Sequence, residues 1–596
     1  MTASVLDHDH TGAADCCATR TTVAAAFAKS LVAGIHTPDA RDILAASGTA
    51  ERRKVRADRV DVLVLGSIAT GNPSQPSAEA MGVRDGRIVA IGSRAELDGL
   101  AGEETQVVES GDGVVIPGLI EPHMHLWSTG LFVGWEDCSK EANPTFDDVV
   151  ATMKAAAAKA QPGQWICGQL FDPSRYPGEP DLTADILDQV STDIPVAVAN
   201  ASMHYIYVNA AAFRAAGITA ETPDPPSGKF YRVDGKLTGV VGEANGILAI
   251  ARAMPQKTPE EFATALRLIM NTAAERGVTS MREASTGNIM GVQEVGLLHQ
   301  INAAAMLPTR ITTAQTSLVP NATWAEAGIT PGFGDDMVKA TAWKVIGDGS
   351  NQGRSAYLRD AYLGRMGEFG MINFSLDQIK AYIREGHQAG WQVMVHANGD
   401  AALDVILTAY EGVLAGTAPH DLRHRVEHVS ISHPEQFRRM AGAGISPSFL
   451  IAHIYWWGRV LRDNILGPER ANGLHPVKTA LDFGLRPSLH SDYNVSPIHP
   501  LRSASIAALR TTQEGGDVLG PDLRVTPEQA LRAVTTDAAW QTHQDDCGSL
   551  EVGKYADYAI ASANPWTTDP AAWPEITFRE TRLGGVVAWS SPGPTS

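Results

Sequence analysis

The sequence predicts an α/β protein: a (β/α)8 barrel of the TIM type, a small β-sandwich domain built from both chain ends, and a large insertion after the first barrel strand. Three observations carry this prediction. Eight short β-rich runs alternate with helical stretches through the middle of the chain, the pattern of parallel βα units. Alternating apolar segments recur at the two distant ends, as if they met in one sheet. Roughly 150 residues separate the first run from the second, far more than a connection needs.

Taken in order, residues 1–57 read as an added extension, with a polar start, Ala-rich helical patterning and the charged link "ERRKVR". Its "HDHTGAADCC" holds His8, His10, Cys16 and Cys17, which read as a tail rather than a metal site. Residues 58–115 open the sandwich with "RVDVLVLG" and "MGVRDGRIVAIGS", where Asp85-Gly86 is placed for a tight hairpin turn. Residues 116–540 form the barrel, with a cap at about 134–275 whose aromatics (Trp165, Phe171, Tyr176, Tyr205, Tyr207) suit a separate small core. The barrel runs are "VVIPGLIEPHMH", "GVTSMREAS", "PTRITTAQTS", "TAWKVIGDG", "GWQVMVHANG", "HRVEHVS", "GISPSF" and "LRPSLHSDY". Residues 541–596 return to the sandwich with "GSLEVGKYADYAIAS" and "GGVVAWSS".

The 596 residues exceed one ordinary core, and 44% hydrophobic residues can fill two. A balance of 48 Lys+Arg against 67 Asp+Glu, net −19 without a basic block, excludes nucleic acid and anionic membrane as natural partners. Five cysteines (Cys16, Cys17, Cys138, Cys167, Cys547) are few and odd in number, which fits a reduced compartment. The start lacks the positive region of a signal peptide, and "TVAAAFAKSLVAGI" is short and broken by Lys29, so a cytoplasmic location is expected.

In a barrel of this kind reactive groups gather at the C-terminal ends of the strands. Alternation puts His123 and His125 on one face of the first strand, where both can hold one metal ion. Lys344, His396, His428 and Asp492 lie in or end four further strands. One or two divalent ions, Zn2+ above all, would polarise a carbonyl and lower the pKa of a water toward ~7, which is hydrolytic chemistry. Asp492 can both ligate and shuttle the proton to a leaving nitrogen. A lysine inside a barrel is expensive unless paired, and the ordinary alternative for Lys344 is a salt bridge to Asp348 or another carboxylate.

These residues, with "MHYIYVNAAAF", "GKLTGVVGEA", "VHANGDAALD", "RVEHV", "HSDYNVSP" and "TPEQALRAVTTDAAW", resemble the amidohydrolase superfamily, in its YtcJ-like amidohydrolase-3 branch that includes N-substituted formamide deformylases. The resemblance runs from about Val60 to about Trp589. It implies His123, His125 and Asp492 on one ion, His396 and His428 on another, and Lys344, carboxylated on its amine, as the bridge. It also implies a substrate-facing role for His204. Two departures, Ala401 where the branch often has arginine and His490 where it often has glycine, suggest a changed pocket. With Trp127, Tyr455 and Tyr493 near strand ends, His204 completes the expected substrate-binding set, and the substrate is expected to be a small, partly apolar or aromatic molecule. A homodimer is the assembly considered.

The resulting expectation is a metal-dependent hydrolase cleaving a C–N bond of a non-peptide amide, N-substituted formamide or carbamate-like compound. Three alternatives stand beside it: a carboxyl-ester or lactone hydrolase, a mononuclear deaminase, and a barrel that binds without catalysis.

Overall fold

The computed structural model describes residues 59–592, apart from 162, 202–204, 226–227, 256 and 419 and the side chains of 243 and 244. The expected extension at 1–57 and His204 lie outside the described residues.

Eight strands form one sheet in chain order: Leu119–Met124, Val278–Thr286, Arg310–Thr316, Val338–Ile346, Gln392–Ala397, Arg425–His428, Ser446–Phe449 and Ser488–Leu489, here barrel strands 1 to 8. Every neighbouring pair is parallel. The sheet closes where the segment after strand 8 returns to strand 1: Asp492 N–H donates to the His123 carbonyl at 3.2 Å, and His125 N–H to the Tyr493 carbonyl at 2.8 Å. Helices cover the outside, so strands 2 and 3 are buried along their whole length and read as continuous β-rich runs rather than as alternation. Inside, side chains stack in levels, one of them made by Ala284, Ala314, Ala342 and Met394.

Each expected run contains one barrel strand, but the first run serves two sheets. Its front half belongs to a long strand, Gln106–Pro117, of a second sheet, and only Leu119–Met124 enters the barrel. Gly118 makes the crossing, because a Cβ there would sit 1.9 Å from Thr279 Oγ1 on strand 2.

The second sheet has seven strands and joins the chain ends, since Gln106–Pro117 pairs antiparallel with Tyr558–Ala561. Asp85 (φ 50°) and Gly86 (φ 74°) form the tight turn between Ser77–Arg84 and Arg87–Gly92. Val62 and Val64 enter one apolar cluster while Leu63 and Leu65 enter another, so this small domain buries both faces as a sandwich does. Phe578–Leu583 is an added strand here, unheralded in the sequence because Arg579, Glu580 and Arg582 interrupt the apolar pattern.

The insertion between strands 1 and 2 carries its own six-stranded sheet, from Glu136–Asp137 to Lys236–Gly242, and a separate core around Phe146, Phe171, Tyr176 and Tyr207. It reaches the barrel loops through Trp457 Nε1, which donates to Asp172 at 2.9 Å, and Arg175, which donates to Gln513 at 2.8 Å. Among the described residues no helix is long and apolar enough to cross a membrane.

Candidate active site

Strand 1 delivers His123 and His125 to the barrel mouth, and the turn after strand 8, with Asp492 at φ 55°, brings a carboxylate against both. Asp492 Oδ1 lies 3.2 Å from His123 Nε2 and 3.1 Å from His125 Nε2. Glu283 on strand 2 steadies the backbone here: it accepts the N–H groups of Leu126, of Trp127 at 3.3 Å and of Ser285 at 2.9 Å, fixing the first turn after His125.

What His123 can do follows from its other nitrogen. Nδ1 lies 2.6 Å from Glu427 Oε2, and Arg425 donates twice to Glu427 at 2.8 Å. Burial pushes the Glu427 carboxyl up, but Arg425 and His123 hold it well below the usual carboxylate range, so it is ionised and only accepts. The proton of His123 therefore sits on Nδ1, and Nε2 turns a lone pair toward Asp492. Asp492 Oδ1 is itself buried without a hydrogen bond. The His123 lone pair and this oxygen face each other beside Lys344 Nζ, 3.3 Å from His123 Nε2, an electron-rich corner that suits a cation. Donor atoms around a tetrahedral zinc, each about 2.0–2.2 Å from it, lie about 3.4 Å apart, close to the two spacings from Asp492 Oδ1. Ligand atoms of His123, His428 and Asp492 also lie within 4.8 Å of one another, so the donors present fit a divalent ion.

His396 ends strand 5 and His428 ends strand 6, their ring centroids 4.3 Å apart. His396 Nε2 is 3.0 Å from the Gly349 carbonyl, which only accepts, so its proton is on Nε2 and Nδ1 is bare. His428 Nδ1 meets His490 Nε2 at 3.1 Å and Asp492 Oδ2 at 4.0 Å. Lys344, buried on strand 4, holds Nζ 3.3 Å from His123 Nε2. Burial, above all, lowers its pKa. Among the described residues it makes no ion pair, and Asp348 is occupied instead by the N–H groups of Tyr357, Asn398 and Gly399 at 3.0, 2.9 and 2.8 Å.

A cavity of about 170 Å³ opens over these groups, lined by His125, His396, His428 and Asp492 together with Asn288 and His453. It shares Gln352 with a hollow of about 500 Å³ beneath the insertion. The six expected ligands are thus brought to one place. The expected aromatic set is not: Trp127 is buried and stacks on Phe262 at 5.8 Å, and Tyr455 lines a separate hollow beside Arg175. Tyr493 stays at the mouth through its carbonyl bond to His125.

Glu427 went unread because strict alternation places it on the face opposite His428. His428 adopts φ 71°, which breaks the period and turns both side chains inward. His453 carried no motif.

The family model described as "Amidohydrolase family" matches residues 106–588. "Protein LONG AFTER FAR-RED 3" of Arabidopsis thaliana is 30% identical, covering 85% of this chain and 88% of its own. "N-substituted formamide deformylase" of Arthrobacter pascens is 26% identical, covering 89% of this chain and 98% of its own. Among solved structures, an uncharacterized metal-dependent hydrolase from Pyrococcus horikoshii OT3 superposes with a TM-score of 0.68 at 19% identity, covering 86% of this chain and 99% of that one.

Proposed function

Since this chain belongs to the amidohydrolase family and is a hydrolytic enzyme, we propose that it cleaves the C–N bond of a non-peptide amide, an N-substituted formamide or a carbamate-like compound. The observation that carries this reading is the convergence of His123 Nε2 and His125 Nε2 on one carboxylate oxygen at the barrel mouth that has no hydrogen bond among the described residues.

In this reading His123, His125 and Asp492 hold one divalent ion, zinc being the best match to imidazole and carboxylate donors, and His396 and His428 hold a second. Lys344, its amine carboxylated, would exchange a costly buried cation for an anionic oxygen ligand. When bound, such ions would polarise the substrate carbonyl and lower the pKa of a water toward ~7. Asp492 would accept a proton on its carboxylate and return it to the leaving nitrogen. Glu427 keeps His123 in the ligating tautomer throughout.

The choice of nitrogen over oxygen as leaving atom draws support from the name of the Arthrobacter pascens relative. His453 stands at the cavity wall: its Nδ1 lies 3.4 Å from Ser430 Oγ and 3.2 Å from His475 Nε2, and among the described residues its buried Nε2 has no hydrogen-bond partner, so it can meet a polar group of the substrate. Cys138, Cys167 and Cys547 are free thiols, in keeping with a cytoplasmic enzyme.

The test is a panel of N-alkyl and N-aryl formamides, acyl amides, carbamates and matched aryl esters with zinc-loaded protein. The highest kcat/KM should fall on a formamide, amide or carbamate. Turnover confined to the esters would overturn the reading.

A further inference from the structure

Glu427 orients His123 in one step and the Gly349 carbonyl orients His396 in one step, but His428 faces another imidazole. Two neutral rings 3.1 Å apart leave open which of them carries the proton between them. The contacts behind His490 decide the matter. His490 Nδ1 is 2.7 Å from Ser448 Oγ, Ser448 Oγ is 2.8 Å from Ser488 Oγ, and Ser488 Oγ is 2.6 Å from Gln541 Oε1. At the far end Gln541 Nε2 donates to the carbonyls of Pro447 and Arg486, at 2.8 and 2.6 Å.

Carbonyls only accept, so the Gln541 amide cannot be turned round and its Oε1 must receive a proton. Ser488 has a single proton, and it goes to that oxygen. The contact between the two serines therefore runs from Ser448 to Ser488. Ser448, its own proton committed, must accept from His490 Nδ1–H. A neutral His490 then has no proton on Nε2, and His428 Nδ1–H donates to it. His428 Nε2 is left bare. Ser448, Ser488, His490 and Gln541 are all 0% exposed, so no solvent interrupts the sequence and burial disfavours a charged His490.

We infer that Gln541, Ser488 and Ser448, acting through His490, are positioning residues that fix His428 in the tautomer able to ligate a metal ion through Nε2. This rests on the metal-centre reading above. Nothing in the chain of bonds touches substrate: it transmits a direction from two backbone carbonyls, near the starting ends of strands 7 and 8, to the mouth of the barrel. It also gives His490 a task.

The test compares zinc affinity and stoichiometry of the full-length protein, by competition with a chromophoric chelator, in wild type, Ser448→Ala, Ser448→Thr and Ser488→Ala, with the thermal midpoint of each metal-free form. Ser448→Ala deprives His490 Nδ1–H of its acceptor and lets the proton pass to Nε2, which drives the His428 proton onto its own Nε2. Ser488→Ala leaves the Ser448 hydroxyl free to turn and donate to His490, with the same result. Both should weaken the weaker zinc site about 10–100-fold, the usual effect of losing an outer partner of a metal-bound histidine. Ser448→Thr, which keeps the hydroxyl, should bind like wild type. If Ser448→Ala or Ser488→Ala binds zinc as wild type does, or if Ser448→Thr is weakened as much as Ser448→Ala, the relay is wrong. If wild type binds no zinc, the metal-centre reading itself falls.

Discussion

Histidines cluster at both ends of this barrel, and the two clusters differ in what each ring does with its second nitrogen. At the mouth, His123 and His396 give their single proton to an outer acceptor, Glu427 or the Gly349 carbonyl, and present bare nitrogens. At the opposite end His387, His420 and His424 bring ring nitrogens within 4.8 Å of one another, a spacing that alone would suit a metal ion equally well. But His424 Nδ1 already accepts the Val393 N–H at 2.9 Å, which places its proton on Nε2, where it donates to His387 Nδ1 at 3.0 Å. To ligate an ion His424 would have to lose its last proton. Proximity makes a cluster, and the outer partner makes a ligand.

The comparison breaks most visibly at the mouth. His123→Ala or His125→Ala should strip metal and lower kcat/KM by more than the ~100-fold typical of outer-partner losses, while circular dichroism shows a folded barrel, because neither residue belongs to the packed interior levels. Retained metal with full activity would remove both from the site. Lys344→Ala should lose one equivalent of metal and nearly all turnover, with partial return in acetate or propionate, which can occupy the bridge. Lys344→Arg should not respond to either acid, since its cation keeps both the space and the charge.

A smaller effect is expected one shell out. Glu427→Gln should weaken metal binding about 10–100-fold and, by leaving Arg425 buried without its partner, lower unfolding stability by about 3–5 kcal/mol. A stability loss with unaltered metal affinity would confine Glu427 to a structural task.

At the opposite end, His424→Ala should leave metal content and kcat/KM unchanged and cost about 1–3 kcal/mol for the stranded Val393 N–H. It should also alter the pH response. Burial lowers His424 from 6.5 to about 3, so between those values the unfolded chain binds the extra proton and the native protein loses stability as pH falls. This loss should be shallower in the variant when denaturant midpoints are followed across that window, and an identical slope would mean that His424 is not the group responsible.

Much of the architecture was legible because it is local. Eight β-rich runs, the Asp85-Gly86 turn and the His-x-His spacing are each written within a few residues. What resisted reading depends on distance or on a broken period. Glu427 and His123 are 304 positions apart, and the turn at His428 defeats the alternation that would have aimed Glu427. The relay behind His490 joins residues on strands 7 and 8 and on a later helix, none remarkable alone. Trp127 and Tyr455 lie next to strand ends, yet only packing reveals that one meets Phe262 and the other a separate hollow.

The most direct test of the central claim is a crystal of the full chain grown with zinc, with anomalous difference density recorded at the zinc edge. The account predicts a peak about 2.0–2.2 Å from His123 Nε2, His125 Nε2 and Asp492 Oδ1, and none among His387, His420 and His424. A peak at that second cluster, or an empty mouth beside a zinc-loaded solvent, would contradict it.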